Sequence, residues 1–153
     1  MDIKDVENPN ASNERLPTRY RILAVDDEPD VAMTWKVGLE EYEGGVFVVD
    51  IFNDSKEALS SFKPGVYDLL LLDIKMPKMN GFELYDNMRK IDDKAKVCFI
   101  TAFEVYYKSL KELFPSIDVE CFITKPISVK DLANKIKQEL LEKKKNQRHN
   151  NYE

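Results

Sequence analysis

The residues best equipped for chemistry stand at the ends of short apolar runs. Asp26 and Asp27 follow Ile22-Leu23-Ala24-Val25, and Asp73 follows Leu69-Leu70-Leu71-Leu72. Thr101 follows Val97-Cys98-Phe99-Ile100, and Lys125-Pro126 follows Cys121-Phe122-Ile123-Thr124. Singly, each is what any strand exit carries, because polar side chains keep such exits in water. Gathered on one edge, three carboxylates would repel one another and shift one another's protonation unless a cation neutralised them. With oxygen ligands only, the set selects a hard cation. A few carboxylates with room for waters and phosphate oxygens suit Mg²⁺ better than Ca²⁺. A carboxylate held between Mg²⁺ and the Lys125 ammonium is placed to attack phosphorus, and an acyl phosphate is the natural product. Thr101 could donate its hydroxyl to a phosphoryl oxygen and move when that oxygen arrives.

For these residues to meet, the apolar runs must lie side by side. Strand-length runs at 22–25, 46–52, 69–72, 97–100 and 121–123 alternate with segments of helical period. The helical apolar positions are Val31, Trp35, Leu39 and Tyr42; Ala58, Leu59 and Phe62; Leu84, Met88 and Ile91; Tyr106, Leu110, Leu113 and Phe114; and Leu132, Ile136 and Leu140. Start and stop signals agree. Pro29 suits a first helical turn, Gly44-Gly45 a stop, and Asp54 with Glu57 and Ser128 with Asp131 resemble capping boxes. The nearly continuous apolar strands predict a parallel sheet covered on both faces. Five strands alternating with five helices predict an α/β doubly wound, flavodoxin-like five-stranded parallel sheet with helices on both faces. Such sheets bind ligands beyond the carboxyl ends of their strands, where the strand order reverses.

Composition bounds what else the chain could do. Its 153 residues fit one domain, on a prior of roughly 150 residues per domain. The net charge of -5 argues against a general electrostatic grip on nucleic acid. From Lys135 to Arg148 the balance reverses to +4. Lys143-Lys144-Lys145 reads as a solvated helix end, which also suits the negative pole of a helix. Residues 1–18 read as a flexible polar arm and 143–153 as a basic polar tail. There is no apolar leader, and no stretch approaches the ~18 apolar residues of a membrane span, so the expectation is a cytoplasmic protein without membrane contact. Cys98 and Cys121 sit inside apolar strand-like runs and read as two buried thiols, and no CxxC or Cys/His cluster is present to bind zinc. Trp35 and Tyr42 read as core. His149, the only histidine, sits in the polar tail and is a poor candidate for phosphoryl relay.

Four segments carry a family resemblance. They are Arg21-Ile22-Leu23-Ala24-Val25-Asp26-Asp27-Glu28-Pro29; Asp68-Leu69-Leu70-Leu71-Leu72-Asp73-Ile74-Lys75-Met76-Pro77 with Asn80-Gly81; Ile100-Thr101-Ala102; and Phe122-Ile123-Thr124-Lys125-Pro126. In this order, each at a strand end, they resemble the receiver domain of two-component response regulators, over about residues 19–142. The resemblance implies that Asp73 is the phosphorylated aspartate, accepting a phosphoryl group from the phosphohistidine of a sensor histidine kinase. It implies Mg²⁺ as cofactor, bound directly by Asp27 and Asp73, through water by Asp26, and by the backbone carbonyl of Lys75. Thr101 and Lys125 match the pair that contacts the phosphoryl group, and Phe122 the aromatic switch that turns inward as Thr101 moves. The Lys125-Pro126 bond would be cis, and Gly81 fits the turn before the third helix.

The implied protein is a phosphorylation-activated switch, not an enzyme beyond its own phosphotransfer and dephosphorylation. Its output would be a changed surface from the fourth to the fifth helix, about residues 103–143, offered to a downstream protein target. A phosphorylation-dependent dimer is an option, and no direct nucleic-acid contact is expected. Phe103 either shields the phosphoryl group from water or simply packs as its helix begins. A phosphorelay carrier and a receiver module detached from a hybrid kinase stay open as alternatives. A Mg²⁺-dependent phosphohydrolase would place a second Asp where Lys75 stands. A flavin or nucleotide carrier would need a phosphate-wrapping loop where Asp26-Asp27-Glu28-Pro29 stands.

Overall fold

The structure, a computed structural model, describes residues 19–102, 112, 113, 115 and 121–150, with 143–150 as helical backbone only. In chain order its elements are β1 (Tyr20–Val25), α1 (Pro29–Glu41), β2 (Phe47–Phe52), α2 (Ser55–Ser61), β3 (Leu69–Asp73), α3 (Gly81–Arg89), β4 (Lys96–Thr101), β5 (Phe122–Thr124) and the C-terminal helix α4 (Val129–Asn150). The strands form one parallel sheet in the order β2-β1-β3-β4-β5. This is the flavodoxin-like arrangement the alternation predicts. The arm at 1–18, Phe103 and most of the helix expected over 106–114 lie outside the described residues. The last helix continues to Asn150, through most of the stretch read as a tail.

Alternate side chains of each strand go to opposite faces, and both faces are apolar. Ile22, Ala24, Leu69, Leu71, Cys98, Ile100 and Ile123 join Trp35 and Leu39 of α1 and Leu132, Ala133, Ile136 and Leu140 of α4 in one core layer. Leu23, Val25, Leu70, Leu72, Val97 and Phe99 join Ala58 of α2 and Phe82, Leu84 and Met88 of α3 in the other. A strand buried on both sides has no polar face to show, which is why Leu69-Leu70-Leu71-Leu72 is unbroken.

The helix ends follow the local chemistry. Pro29 opens α1, and left-handed Gly44 and Gly45 turn the chain after it (φ 76° and 82°). Side-chain oxygens of Asp54, Asn80 and Ser128 accept from the backbone N–H groups of Glu57, Glu83 and Asp131 at 3.0, 2.9 and 3.1 Å, satisfying donors that have no partner within the helix. Gly38 has a different task. A Cβ there would sit 2.5 Å from the Val129 side chain, so glycine in mid-helix lets α1 close on the start of α4.

Two features depart from the sequence reading or add to it. Cys98 and Cys121 are joined as a disulfide, with Cα atoms 4.6 Å apart, which corrects the expectation of two separate thiols. Phe99 pairs with Phe122 in the ladder, and the residues just before them therefore face each other on the same side of the sheet. At the opposite edge, Val49 of β2 turns its peptide groups away from β1. Glu40 of α1 accepts its N–H at 3.0 Å, and Lys36 donates to its carbonyl at 2.5 Å while pairing with Glu40 at 2.7 Å. The Lys36 bond lowers the Glu40 carboxyl below its ordinary range.

Candidate functional site

The strand order reverses between β1 and β3, so the carboxyl ends of those strands border an open crevice. Asp26 and Asp27 leave β1 there, and Asp73 ends β3. One carboxylate oxygen from each lies within 4.8 Å of the others. Asp26 is fully buried and fixed on every side. Its N–H donates to the Phe52 carbonyl at 3.1 Å, and its carbonyl accepts from the Asn53 amide at 2.9 Å. Its carboxylate accepts from the Glu28 N–H at 2.9 Å and from Lys125 Nζ at 2.6 Å. Asp27 is more open to solvent.

Asp73 is 5% exposed and faces a cavity of about 440 Å³ lined by Asp27, Lys75, Met76, Thr101 and Lys125. Burial pushes its carboxyl up to about 7, the Asp26 charge adds to this, Lys125 opposes it, and Asp27 contributes a smaller upward push. Lys125 Nζ is 3.7 Å from its Oδ2. The backbone behind it is held by Gly81 at the start of α3. The Gly81 N–H donates to the Ile74 carbonyl at 2.8 Å, and a Cβ at this position would overlap the Asp73 carbonyl oxygen. Only glycine fits so close an approach.

β4 and β5 bring the remaining groups. Thr101 is buried at the end of β4 beside the cavity, and its carbonyl accepts the Lys125 N–H at 2.7 Å. The Lys125-Pro126 peptide is cis, as expected. Lys125 Nζ also lies over the indole of Trp35, 5.2 Å from the ring centroid. That contact escaped the sequence reading, because helical period marks Trp35 as core and gives no hint of a lysine 90 positions away. Phe122 is half-buried, its ring centroid 5.8 Å from Phe99 and 6.1 Å from Phe82. Lys75 is exposed and borders the cavity.

The donor set fits a hard divalent cation. Three carboxylates gathered within 4.8 Å, with Asp73 pushed toward its protonated form by burial and then by the Asp26 charge, are neutralised by such an ion, and no softer ligand is among them. Asp27 and Asp73 would hold it, with Asp26 behind them. When bound, Mg²⁺ supplies positive charge against phosphate oxygens.

The sequence matches the response regulator receiver domain over residues 22–137. It is 31% identical over 118 residues to the uncharacterized transcriptional regulatory protein YkoG of Bacillus subtilis, covering 76% of this chain and 49% of that protein. Among solved structures, it resembles a CheY-like receiver domain protein from Methanospirillum hungatei at 32% identity and TM-score 0.72, covering 84% of this chain and 99% of that one. The response regulator TrrA of Thermotoga maritima, solved with Mg²⁺ and BeF, is 34% identical with TM-score 0.64, over 78% of this chain and 97% of that one. The chain belongs to the response regulator receiver domain family. It spans about half the length of the curated relatives it matches. Those relatives are named as transcriptional regulators, so the expectation of no nucleic-acid contact gains no support. Among the described residues, no helix is long and apolar enough to cross a membrane.

Proposed function

We propose that this protein is a phosphorylation-activated signalling switch of the cytoplasm, with Asp73 as its phosphoacceptor. A carboxylate oxygen of Asp73 attacks the phosphorus of a sensor kinase's phosphohistidine. The P–N bond breaks, the imidazole leaves with its electron pair and takes up a proton, and an aspartyl phosphate remains. The observation that carries this reading is the gathering of Asp26, Asp27 and Asp73 within 4.8 Å, with Lys125 Nζ 3.7 Å from Asp73. Asp27 and Asp73 would hold Mg²⁺, with Asp26 behind them acting through water and the Lys75 carbonyl completing the set, and Lys125 and Thr101 would contact the transferred oxygens.

Phosphorylation adds about -1.5 to -2 charge and three acceptor oxygens. At this edge the new charge draws on Thr101 and Lys125, and through them on β4, β5 and Phe122. The change reaches the surface beyond β5 along α4, where a protein target reads it; most of the remainder of the expected output surface, 103–120, lies outside the described residues. Outside its own phosphotransfer and dephosphorylation, the chain catalyses no reaction. The test is intact mass after incubation with Mg²⁺ and acetyl phosphate, for wild type and Asp73→Asn. One labile phosphate on the wild type alone is expected. An adduct on both proteins, or on neither, overturns the assignment of Asp73.

A further inference from the structure

The phosphoacceptor edge needs its ammonium in a fixed place, yet Lys125 is a hydrated charge on a flexible four-carbon stem. In the structure it bonds to Asp26 at 2.6 Å and stands 3.7 Å from Asp73. Those anchors are the same carboxylates that gather a divalent cation. With such an ion among them, their charge is shared, and the like charge of the metal opposes the ammonium. An attraction that the ion leaves untouched comes from an uncharged group.

We propose that Trp35 is a positioning residue that holds the Lys125 ammonium at the phosphoacceptor edge through its indole face. The ammonium lies over the ring, 5.2 Å from its centroid, within the range where the ring quadrupole attracts a cation. The ring itself is firmly placed. Trp35 is 5% exposed in the core layer with Ile100, Ile123 and Leu132, so it cannot swing away from the lysine. Its helix is brought to the right depth by Gly38, one turn on, where the missing side chain lets α1 close on Val129 just after the Lys125 loop. The partly desolvated setting, with the Lys125 side chain 16% exposed, strengthens the contact over one on an open surface. Trp35 thus acts through Lys125 and touches no reacting atom itself.

This inference rests on the phosphoacceptor reading, and the test separates the two. The contact is read by NMR on the full chain. The Lys125 methylene protons nearest the ammonium are displaced upfield from those of other lysines and show cross-relaxation to the indole, with and without Mg²⁺. The function is read as the rate of phosphoryl uptake from acetyl phosphate at saturating Mg²⁺. Trp35→Leu, which keeps an apolar side chain but has no ring face, slows uptake roughly five-fold, while Trp35→Phe stays within about two-fold of wild type. Equal rates for Trp35→Leu and wild type, or equal losses for the Leu and Phe variants, overturn the proposal. So does an unshifted Lys125 in the wild type, a result that does not depend on how the variants fold. If the wild type takes up no phosphoryl group, the phosphoacceptor reading is at fault, and the lysine shifts alone decide whether the ring holds the ammonium.

Discussion

Replacing Asp73 by Asn stabilises the fold, by an amount that depends on pH. The Asp73 carboxyl stands at about 7 against an ordinary 3.8 because of burial and the neighbouring Asp26 charge. At about 1.4 kcal/mol per pH unit this corresponds to roughly 4 kcal/mol. The carboxylate borders an open cavity, and solvent screening brings the expected figure to about 2 kcal/mol. The sign follows from proton uptake. Between about pH 4 and 7 the folded chain keeps a proton that the unfolded chain has released, so wild-type stability falls as pH rises through that window and levels off above it. The side-chain amide of the variant has no such proton to lose. Urea unfolding in a chelator at pH 8 therefore shows Asp73→Asn more stable than wild type by about 2 kcal/mol, on the order of 6 °C in Tm, and the gap closes toward pH 4. Saturating Mg²⁺ narrows it at pH 8, since the wild-type carboxylates then have their counter-charge. A variant no more stable than wild type at pH 8, or a gap that stays constant with pH, refutes the electrostatic account of this edge.

Three further outcomes follow from local geometry. Gly81→Ala forces a Cβ onto the Asp73 carbonyl, costs about 2 kcal/mol in urea unfolding, and slows phosphoryl uptake because the acceptor's own backbone must move. Asn80→Ala removes the oxygen that caps α3 and lowers stability by about 1 kcal/mol, read from the same unfolding curves. Reducing the disulfide between Cys98 and Cys121, which closes a separation of 23 residues, lowers the unfolding free energy by about 3 kcal/mol; intact mass under non-reducing conditions reports the bond itself.

The sequence and the structure agree best where a signal is local. The strand runs, the Pro29 start, the Asp54 cap and the acidic strand ends each depend on a few consecutive residues, and each was readable. Asp26, Asp27, Asp73, Thr101 and Lys125 could be assigned to one edge because parallel strands deliver their carboxyl ends together. What stayed hidden depends on which strands and helices are neighbours. The Cys98–Cys121 bond needs β5 beside β4, and the Trp35–Lys125 contact needs α1 closed on the start of α4. Both are long-range pairings; the apolar pattern labels Cys98, Cys121 and Trp35 simply as core, and the strand-end reading of Lys125 gives it no partner on α1. Strand limits also moved, with β1 and β4 reaching back to Tyr20 and Lys96, since pairing with a neighbour extends a strand past its apolar residues.

The salt bridge of Lys36 and Glu40 over Val49 bears on how the molecule behaves in a crowd. A bare strand edge offers the next chain a ready row of donors and acceptors, the first step toward intermolecular sheets. Here both peptide groups of Val49 are already taken by side chains of α1, so a visiting strand would have to displace a paired ammonium and carboxylate before it could add on. Neutralising Lys36, as acetylation does, loosens that clasp without touching the core. The helix that carries Trp35 beneath Lys125 therefore also stands guard over the sheet, and loss of its outer charges would appear first as self-association.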